Sequence, residues 1–476
     1  MQIRHNKLDI PKDDPFKYDA LKRSDLEPPL TQFVTQASGS FVLALDASWG
    51  AGKTTFLEMW KVKLTEAGHV CLYLNAWQTD FAKEPLIAIV GELKKAIEEF
   101  ANQSGEAGNS LKKQMKKTQQ LVESLLKHLL LLGIKVGTHG ILDIKESAIE
   151  KAIVDSVSSG TEDLLKSYEK SKSEIKEFKE ILTSLVSEVA SLNHSAKVVI
   201  IIDELDRCRP IYAVELLERV KHLFDASGVV FILGIDRSQL HHSIRSLYGS
   251  EFDATGYLRR FIDLDYQLPE PKVGDYCNFL FERFGIQELI AKRQSKDDLN
   301  EINNLKKHLG GLMSAARMSL RTQEQTIARL RIVLQTIPRG EMIYEKILSL
   351  LLFLREWNYT IYLDVSEGKI DLDNLLPQIE SLPSIQKASK NFINMELIEA
   401  YFLAILTELK SEPPRLEHYK KLAESNSERD SHEFKKVQQI VNTYNGFFQD
   451  YPYNSVGFKI TVERLALANN FVLYEE

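Results

Sequence analysis

A glycine-containing loop after a short apolar run is the first segment of this sequence whose residue types suit anion binding. Residues 42–45 are apolar and predict a buried strand, and residues 46–55 read DASWGAGKTT. Gly50 and Gly52 lack a Cβ, so neighbouring backbone N–H groups can turn towards phosphate oxygens. Lys53 supplies a positive charge for terminal phosphates, and the Thr54 hydroxyl is a ligand for Mg²⁺. The predicted nucleotide-binding residues of this loop are Trp49, Gly50, Ala51, Gly52, Lys53, Thr54 and Thr55.

The loop departs at one position from the phosphate-binding signature G-x-x-x-x-G-K-[ST]. Ala47 stands where the signature has its first glycine. Alanine is the smallest departure, but we expect it to resist a positive φ at that turn. The alternative is an ordinary glycine-containing loop between a strand and a helix. The Lys-Thr pair after the second glycine, together with the strand–turn–helix context, favours phosphate binding.

A second run of chemistry-bearing residues follows the most strand-like segment of the chain. Residues 198–202 are all β-branched, and they lead into Asp203 and Glu204. Open α/β sheets bind ligands at the carboxyl ends of their strands. We predict that Asp203 holds Mg²⁺ together with Thr54, and that Glu204 orients or deprotonates the attacking water. A plain polar strand end that caps a helix is the alternative, and the phosphate cradle upstream argues against it.

Four further polar residues are candidates with open alternatives. Asp236, at the end of another predicted strand, either senses the γ-phosphate through water or caps the helix over 238–247, and capping is slightly favoured. Arg259 and Arg260 either supply charge to the phosphates, in the same subunit or across an oligomer interface, or form solvent ion pairs. Arg321, at the start of a predicted helix, is a candidate to reach the nucleotide from a lid. The predicted catalytic residues are Glu204, Lys53, Arg259 and Arg260.

Strands and helices alternate over the first part of the chain and would position these residues. All-apolar strands between amphipathic helices predict a parallel, doubly wound sheet covered on both faces. The predicted fold class is α/β, a P-loop NTPase core with a helical insertion, followed by an all-helical lid and C-terminal domain. The predicted divisions are an N-terminal segment over 1–30, the core over 31–270 with its insertion at about 101–190, the lid over 271–340 and the C-terminal domain over 341–476.

The composition is that of an ordinary soluble protein. The chain has 476 residues, a net charge of −7 and three cysteines far apart in sequence. The charge gives no indication of nucleic-acid binding, although a local basic patch would be compatible with it. The cysteines suit a reducing compartment, so we expect a cytoplasmic protein. The apolar run at 125–134 is too short to span a bilayer and is interrupted by Lys127 and His128, so no membrane span is predicted.

Several of these blocks, in this order, resemble the KAP family of P-loop NTPases. The blocks are residues 49–54, 75–77, 203–208, 231–236 and 257–269. The Leu-Asp-Arg-Cys run at 205–208 is the most specific of them, and the resemblance covers roughly 14–334. The family is similar to the additional-strand ATPases of the STAND and AAA+ groups. This chain departs from it at Ala47, and at Glu204, where many members have a second aspartate.

The resemblance implies Mg-ATP binding, and in prokaryotes a frequent link to defence against phages and plasmids. We therefore expect an ATPase that acts as a conformational switch or assembly motor, with ATP and Mg²⁺ as cofactors. A homo-oligomer is expected. A separate effector protein is also expected, because the C-terminal third carries no nuclease or protease constellation. The alternative is an ATP-loaded oligomeric scaffold with negligible turnover. Two neighbours of the site are expected to be structural, namely Trp77 by packing and Cys208 as a buried, inert thiol.

Overall fold

The computed structural model divides into two compact units, His5–Glu270 and Pro271–Glu476. The residues that it describes are 8–81, 85–103, parts of 176–191, 197–221, 227–270, 273–291, 298–337, 343–381, 395–409, 411–424, 431–450 and 455–469. The finer predicted division into N-terminal segment, lid and C-terminal domain stays a prediction.

A five-stranded parallel sheet forms the centre of the first unit. Its strands are β1 (Phe41–Asp46), β2 (Val70–Asn75), β3 (Val198–Asp203), β4 (Val229–Ile235) and β5 (Leu264–Gln267). The spatial order is β2-β3-β4-β1-β5. β4 therefore lies between β1, which precedes the glycine loop, and β3, which precedes the carboxylates. This order confirms the predicted doubly wound α/β core.

Helices cover both faces of the sheet, which explains why β1, β3 and β4 are apolar on both sides. The described helices of this unit are α1 (Glu27–Gln36), α2 (Lys53–Glu66), α3 (Ala76–Thr79), α4 (Pro85–Gln103), α5 (Pro210–Lys221), α6 (Arg237–Tyr248) and α7 (Ala254–Leu258). On one face Val199 and Ile201 pack with α1 and α2. On the other, Ile200 and Ile202 pack with α4, α5 and α6.

Most of the predicted insertion at 101–190, including the apolar run at 125–134, lies outside the described residues. The described residues between 176 and 191 are helical. Leu182, Val186 and Val189 belong to the core that covers the α4 and α5 face of the sheet. Over the described part of the chain, no helix combines the length and the apolar character needed to cross a membrane.

The fifth strand, β5, was not predicted by the sequence pattern, which placed the last core strand at 229–235. β5 is short and mostly exposed, so it lacks the apolar run that marks the other strands. It forms a parallel edge strand beside β1, with Leu43 opposite Leu264. The backbone N–H of Val42 donates to Oδ2 of Asp263 at 2.9 Å, which fixes the amino end of this pairing.

The second unit consists of helices over its described residues. They are α8 (Val273–Arg283), α9 (Ile286–Ala291), α10 (Asp298–Ala315), α11 (Leu320–Thr336), α12 (Glu345–Trp357), α13 (Tyr359–Ser366), α14 (Leu372–Glu380), α15 (Met395–Leu409), α16 (Pro414–Glu424), α17 (His432–Asp450) and α18 (Ser455–Asn469). Buried Arg329 joins three of them, since it pairs with Glu356 at 3.0 Å and donates to the carbonyl of Ala468 at 3.1 Å.

Candidate functional site

The glycine loop joins β1 to α2 with its two glycines in the left-handed region. Gly50 has φ 75° and Gly52 has φ 78°. A residue with a Cβ would be strained at either position, so the loop needs glycine at both. A turn closed by the Ala51 N–H and the Ser48 carbonyl at 3.2 Å lies between β1 and α2. The sequence therefore permits the tight loop that phosphate binding requires.

Ala47 stands where the signature has its first glycine, and it does not adopt a positive φ. Among the described residues other than glycine, a positive φ occurs at Lys22, Glu204 and Arg317. Ala47 is buried and its N–H donates to the carbonyl of Ile235 at 3.1 Å. The chain at this position still pairs with the neighbouring strand, β4, so an alanine fits without a positive φ. The turn at Ala47 therefore needs no positive φ, the conformation that alanine would resist.

Lys53 begins α2 and is buried at the centre of the site. Its Nζ donates a hydrogen bond to the Ala47 carbonyl at 2.9 Å. Burial lowers the pKa of the Lys53 ammonium. Four carboxylates oppose that shift, those of Asp206, Asp203, Asp236 and Asp46. The ammonium therefore lies where the loop, β3 and β4 meet, with further donor capacity beyond the bond to Ala47.

The structure brings Thr54 and Asp203 together, as a shared metal site requires. Asp203 is fully buried, and its carboxylate accepts hydrogen bonds from the Thr54 hydroxyl, the Tyr73 hydroxyl at 2.8 Å and the Glu204 N–H at 2.8 Å. Burial raises the pKa of Asp203 to about 6, and the bonds from Thr54 and Tyr73 oppose the rise. Tyr73 was not predicted, although a tyrosine within an apolar strand two residues from its carboxyl end was a usable signal.

Gly234 in β4 leaves the space that the Asp203 carboxylate occupies. Asp203 and Gly234 lie opposite each other in the β3–β4 ladder. A Cβ at Gly234 would lie 2.5 Å from Oδ1 of Asp203 and 2.5 Å from Cδ1 of Leu57. No side chain larger than hydrogen fits there unless both Asp203 and Leu57 move. The sequence shows only an apolar strand with a glycine near its end, so this role was not predictable.

Glu204 has an unusual backbone and a carboxylate with two partners. It adopts φ 59° and ψ 28°, a left-handed conformation that costs free energy for a residue with a Cβ. Its Oε1 pairs with Nη1 of Arg207 at 2.8 Å, and its Oε2 accepts from Nδ2 of Asn75 at 2.8 Å. Strained residues of this kind concentrate at functional sites. Asn75 ends β2, and in the sequence it stands out only as part of a block that resembles the KAP family.

The short 3-10 turn Leu205–Arg207 connects several parts of the site. Oδ2 of buried Asp206 accepts a hydrogen bond from the indole Nε1–H of Trp49. The Arg207 guanidinium lies 5.7 Å from the ring centre of Trp77. Trp77 is 41% exposed, and this guanidinium contacts its ring. Cys208 is buried, and burial raises the pKa of its thiol, as expected of an inert cysteine.

Asp236 caps α6, which was the slightly favoured interpretation. Its Oδ1 accepts from the Gln239 N–H at 3.2 Å. Its Oδ2 accepts from the Trp49 N–H at 3.1 Å, so the same carboxylate also holds the glycine loop. The capping role and a place beside the phosphate site are therefore compatible.

Arg259 and Arg260 occupy a different position from the predicted one. They follow α7 and precede β5, so they belong to the α/β domain itself and not to a connection between that domain and a lid. The Asp263 N–H donates to the Val42 carbonyl at 3.0 Å, at the amino end of β1. The glycine loop follows Asp46, about 13 Å further along that strand. Both arginines are exposed near the amino end of β1, and their predicted reach to the phosphates stays a prediction.

Arg321 lies in the first turn of α11, after the N-cap Ser319, and is half-buried. It belongs to the second unit, whereas the glycine loop belongs to the first. Its predicted reach to the nucleotide stays a prediction.

The donors around the loop fit Mg²⁺ bound together with a nucleotide better than a metal bound by protein alone. Within the described ranges, no group of three or more His, Cys, Asp or Glu side chains could hold a metal ion. Mg²⁺ is usually bound by one or two protein oxygens together with substrate phosphates and waters. Thr54 and Asp203 supply two such oxygens beside the Lys53 ammonium. The residues of this site therefore suit Mg²⁺ that is bound together with phosphates.

This fold and this site define a P-loop NTPase with an additional strand between the strands of its two nucleotide-binding motifs. A family model of the KAP family P-loop domain matches residues 28–337, and the chain belongs to that family. Part of the chain is also similar to the phage T7 exclusion protein of Escherichia coli (strain K12), with 29% identity over 103 residues. That match covers 21% of this chain and 14% of the length of the exclusion protein.

Proposed function

We propose that this protein is a Mg²⁺-dependent ATPase that uses ATP hydrolysis to drive a conformational switch or an assembly step. One observation carries the proposal. Lys53, the Thr54–Asp203 pair and Glu204 converge at the carboxyl edge of one sheet, although β3 follows the glycine loop by more than a hundred residues. A charged donor, a metal-binding oxygen pair and a carboxylate base are the parts that phosphoryl transfer to water needs.

Each residue has a distinct part in the proposed reaction. Lys53 neutralises charge on the terminal phosphates, and the N–H groups of the glycine loop hold the phosphate oxygens. Thr54 and Asp203 would hold Mg²⁺, which when bound stabilises the negative charge that the phosphates carry. Glu204 orients a water and accepts its proton, and the amide of Asn75 positions the Glu204 carboxylate through the 2.8 Å hydrogen bond.

One observation favours the second candidate, an ATP-loaded scaffold with negligible turnover. Both carboxylate oxygens of Glu204 are engaged, one by Arg207 and one by Asn75. These protein partners occupy acceptor positions that a water would otherwise use. Turnover would then require a rearrangement that releases one of them. The ATPase is preferred because a glutamate in a strained left-handed backbone is difficult to explain by stability alone.

Two variants of the purified chain separate these candidates. Lys53→Ala should abolish tight Mg-ATP binding, measured by equilibrium dialysis. Glu204→Gln should retain binding and lower turnover by at least about a hundredfold, since the amide keeps the shape but cannot accept a proton. Wild-type affinity in Lys53→Ala would remove the nucleotide site. Tight binding with no turnover in either wild type or Glu204→Gln would establish the scaffold.

Arg259 and Arg260 are proposed to act across a homo-oligomer interface, because they are exposed near the amino end of β1 whereas the glycine loop follows its carboxyl end. Arginines supplied to phosphoryl transfer contribute about 10³ to 10⁵ in rate. Replacing both with alanine should leave ATP binding intact and lower turnover more than tenfold. Mixing this double variant with Lys53→Ala should restore part of the activity. In mixed oligomers, the double variant would supply an intact nucleotide site and the Lys53→Ala subunit would supply the two arginines. Unchanged turnover in the double variant would show that both arginines are ordinary surface residues with no part in catalysis.

The cellular role is proposed to be defence against phages or plasmids, together with a separate effector protein. The family and the similarity to a phage T7 exclusion protein support this context. Expression of the chain with its genomic neighbours should lower phage plating efficiency, and Lys53→Ala should restore it. Equal plating with wild type and Lys53→Ala would show that nucleotide binding has no part in such a role.

A further inference from the structure

The turn Leu205–Arg207 contacts both the glycine loop and the carboxylate of Glu204. Its first contact is made by Asp206, whose Oδ2 accepts the indole N–H of Trp49. The second oxygen, Oδ1, is buried and accepts no hydrogen bond from the described residues. A buried carboxylate with an unpaired oxygen is costly, so its retention here requires a reason beyond packing. Among the carboxylates that raise the pKa of the Lys53 ammonium, Asp206 has the largest effect.

The second contact of the turn is made by the next residue along the chain. Arg207 pairs with Oε1 of Glu204 at 2.8 Å, while its guanidinium lies over the ring of Trp77. Arg207 and Glu204 are separated by one helical turn, and the Arg207 N–H donates to the Glu204 carbonyl at 3.2 Å. The backbone that carries Asp206 is therefore continuous with the backbone that holds Glu204 in its left-handed conformation.

Trp49 makes two polar contacts for the glycine loop, one from its backbone and one from its side chain. Its N–H is held by Asp236 at 3.1 Å, and its indole N–H is held by Asp206. The ring itself is 46% exposed, so burial contributes little to its orientation. The indole hydrogen bond to Asp206 is thus the polar contact that attaches the Trp49 side chain, next to Gly50, to the turn Leu205–Arg207.

We infer that Leu205–Arg207 is a two-armed positioning clamp, with Asp206 holding the nucleotide-binding loop through Trp49 and Arg207 holding the proposed base Glu204. The inference rests on the proposed function of the same site. Asp206 and Trp49 preorganise the loop, so loss of either lowers nucleotide affinity. Arg207 orients Glu204, so its loss changes turnover with little effect on affinity. Because both arms belong to one helical turn, a movement of the loop is transmitted to Glu204.

The loop arm is tested with Trp49→Phe, which keeps an aromatic ring but removes the N–H donor. The dissociation constant for Mg-ATP, measured by equilibrium dialysis, should rise about tenfold, the scale for a hydrogen bond to a charged group. Asp206→Ala should have a similar effect. The double variant should be no weaker than the worse single variant, because both remove one contact. Trp357→Phe, the same change in the second unit, is the matched control and should bind as wild type does.

Two further measurements test the two arms separately, and the first of them does not depend on catalysis. Without nucleotide, backbone amides at 48–52 should exchange with solvent faster in Trp49→Phe than in wild type, since the loop has lost an anchor. Arg207→Ala should lower kcat at least tenfold while the dissociation constant stays within about twofold. Unchanged affinity and unchanged exchange in Trp49→Phe would overturn the clamp. Failure of wild type itself to bind Mg-ATP would instead overturn the proposed function.

Discussion

The left-handed backbone of Glu204 predicts an inverted order of stability for two simple variants. Glu204→Ala and Glu204→Gly both lose the ion pair with Arg207 and the hydrogen bond with Asn75, so those losses cancel in the comparison. The two variants differ in backbone strain. A φ of 59° raises the free energy of a residue with a Cβ, whereas glycine adopts it without strain. We therefore expect Glu204→Gly to be the more stable of the two.

The size of the difference follows from two opposing terms. The left-handed conformation costs a residue with a Cβ about 1–2 kcal/mol relative to glycine. Alanine recovers about 0.4–1 kcal/mol of this, because glycine has more conformational freedom to lose on folding. The balance favours glycine at position 204 by about 1 kcal/mol. For a unit the size of His5–Glu270 this corresponds to a higher melting temperature by about 2 °C.

Differential scanning calorimetry, without nucleotide, measures this difference, and an exposed glutamate provides the control. Glu98 lies in α4, where the backbone is helical and alanine is favoured over glycine by about 0.5–1 kcal/mol. The order of the two variants should therefore reverse between positions 204 and 98. Equal melting temperatures at position 204, or greater stability of Glu204→Ala, would refute the claim that this residue is held in a strained backbone.

Three other substitutions test separate features of the two units. Gly234→Ala should destabilise the protein by about 1–3 kcal/mol in urea unfolding, because the new Cβ displaces the Asp203 carboxylate, and it should weaken Mg-ATP binding; Gly446→Ala, where a Cβ meets nothing within 4 Å, is the control. Tyr73→Phe should lower the free energy of unfolding by about 1–3 kcal/mol, since the buried Asp203 carboxylate loses one hydrogen-bond donor. Wild-type stability of this variant would contradict the 2.8 Å hydrogen bond between Tyr73 and Asp203. Burial and nearby lysines lower the pKa of His308 to about 4, so the unfolded state binds more protons between about pH 6.5 and 4. Stability should fall as the pH drops through that window, and His308→Gln should lessen the fall; identical pH profiles would exclude His308 as the cause.

The sequence alone determined the parts of the site that are contiguous along the chain. The glycine loop with Lys53 and Thr54, and the run that ends in Asp203 and Glu204, each follow an apolar strand directly. Strand, turn and helix signals within ten or fifteen residues specify such units locally. Parallel strands place their carboxyl ends at one edge, so the convergence of the two motifs could also be predicted.

The tertiary structure decided whatever depends on the packing of distant segments. β5 carries no apolar pattern of its own, and only its pairing with β1 makes it a strand and places Arg259 and Arg260 at the amino edge of the sheet. The contact between Trp49 and Asp206 joins residues 157 positions apart. The left-handed φ of Glu204 has no signal in residue type, since it arises where β3 turns into the following 3-10 turn. Such features depend on register and close packing between segments, which residue types along one segment do not specify.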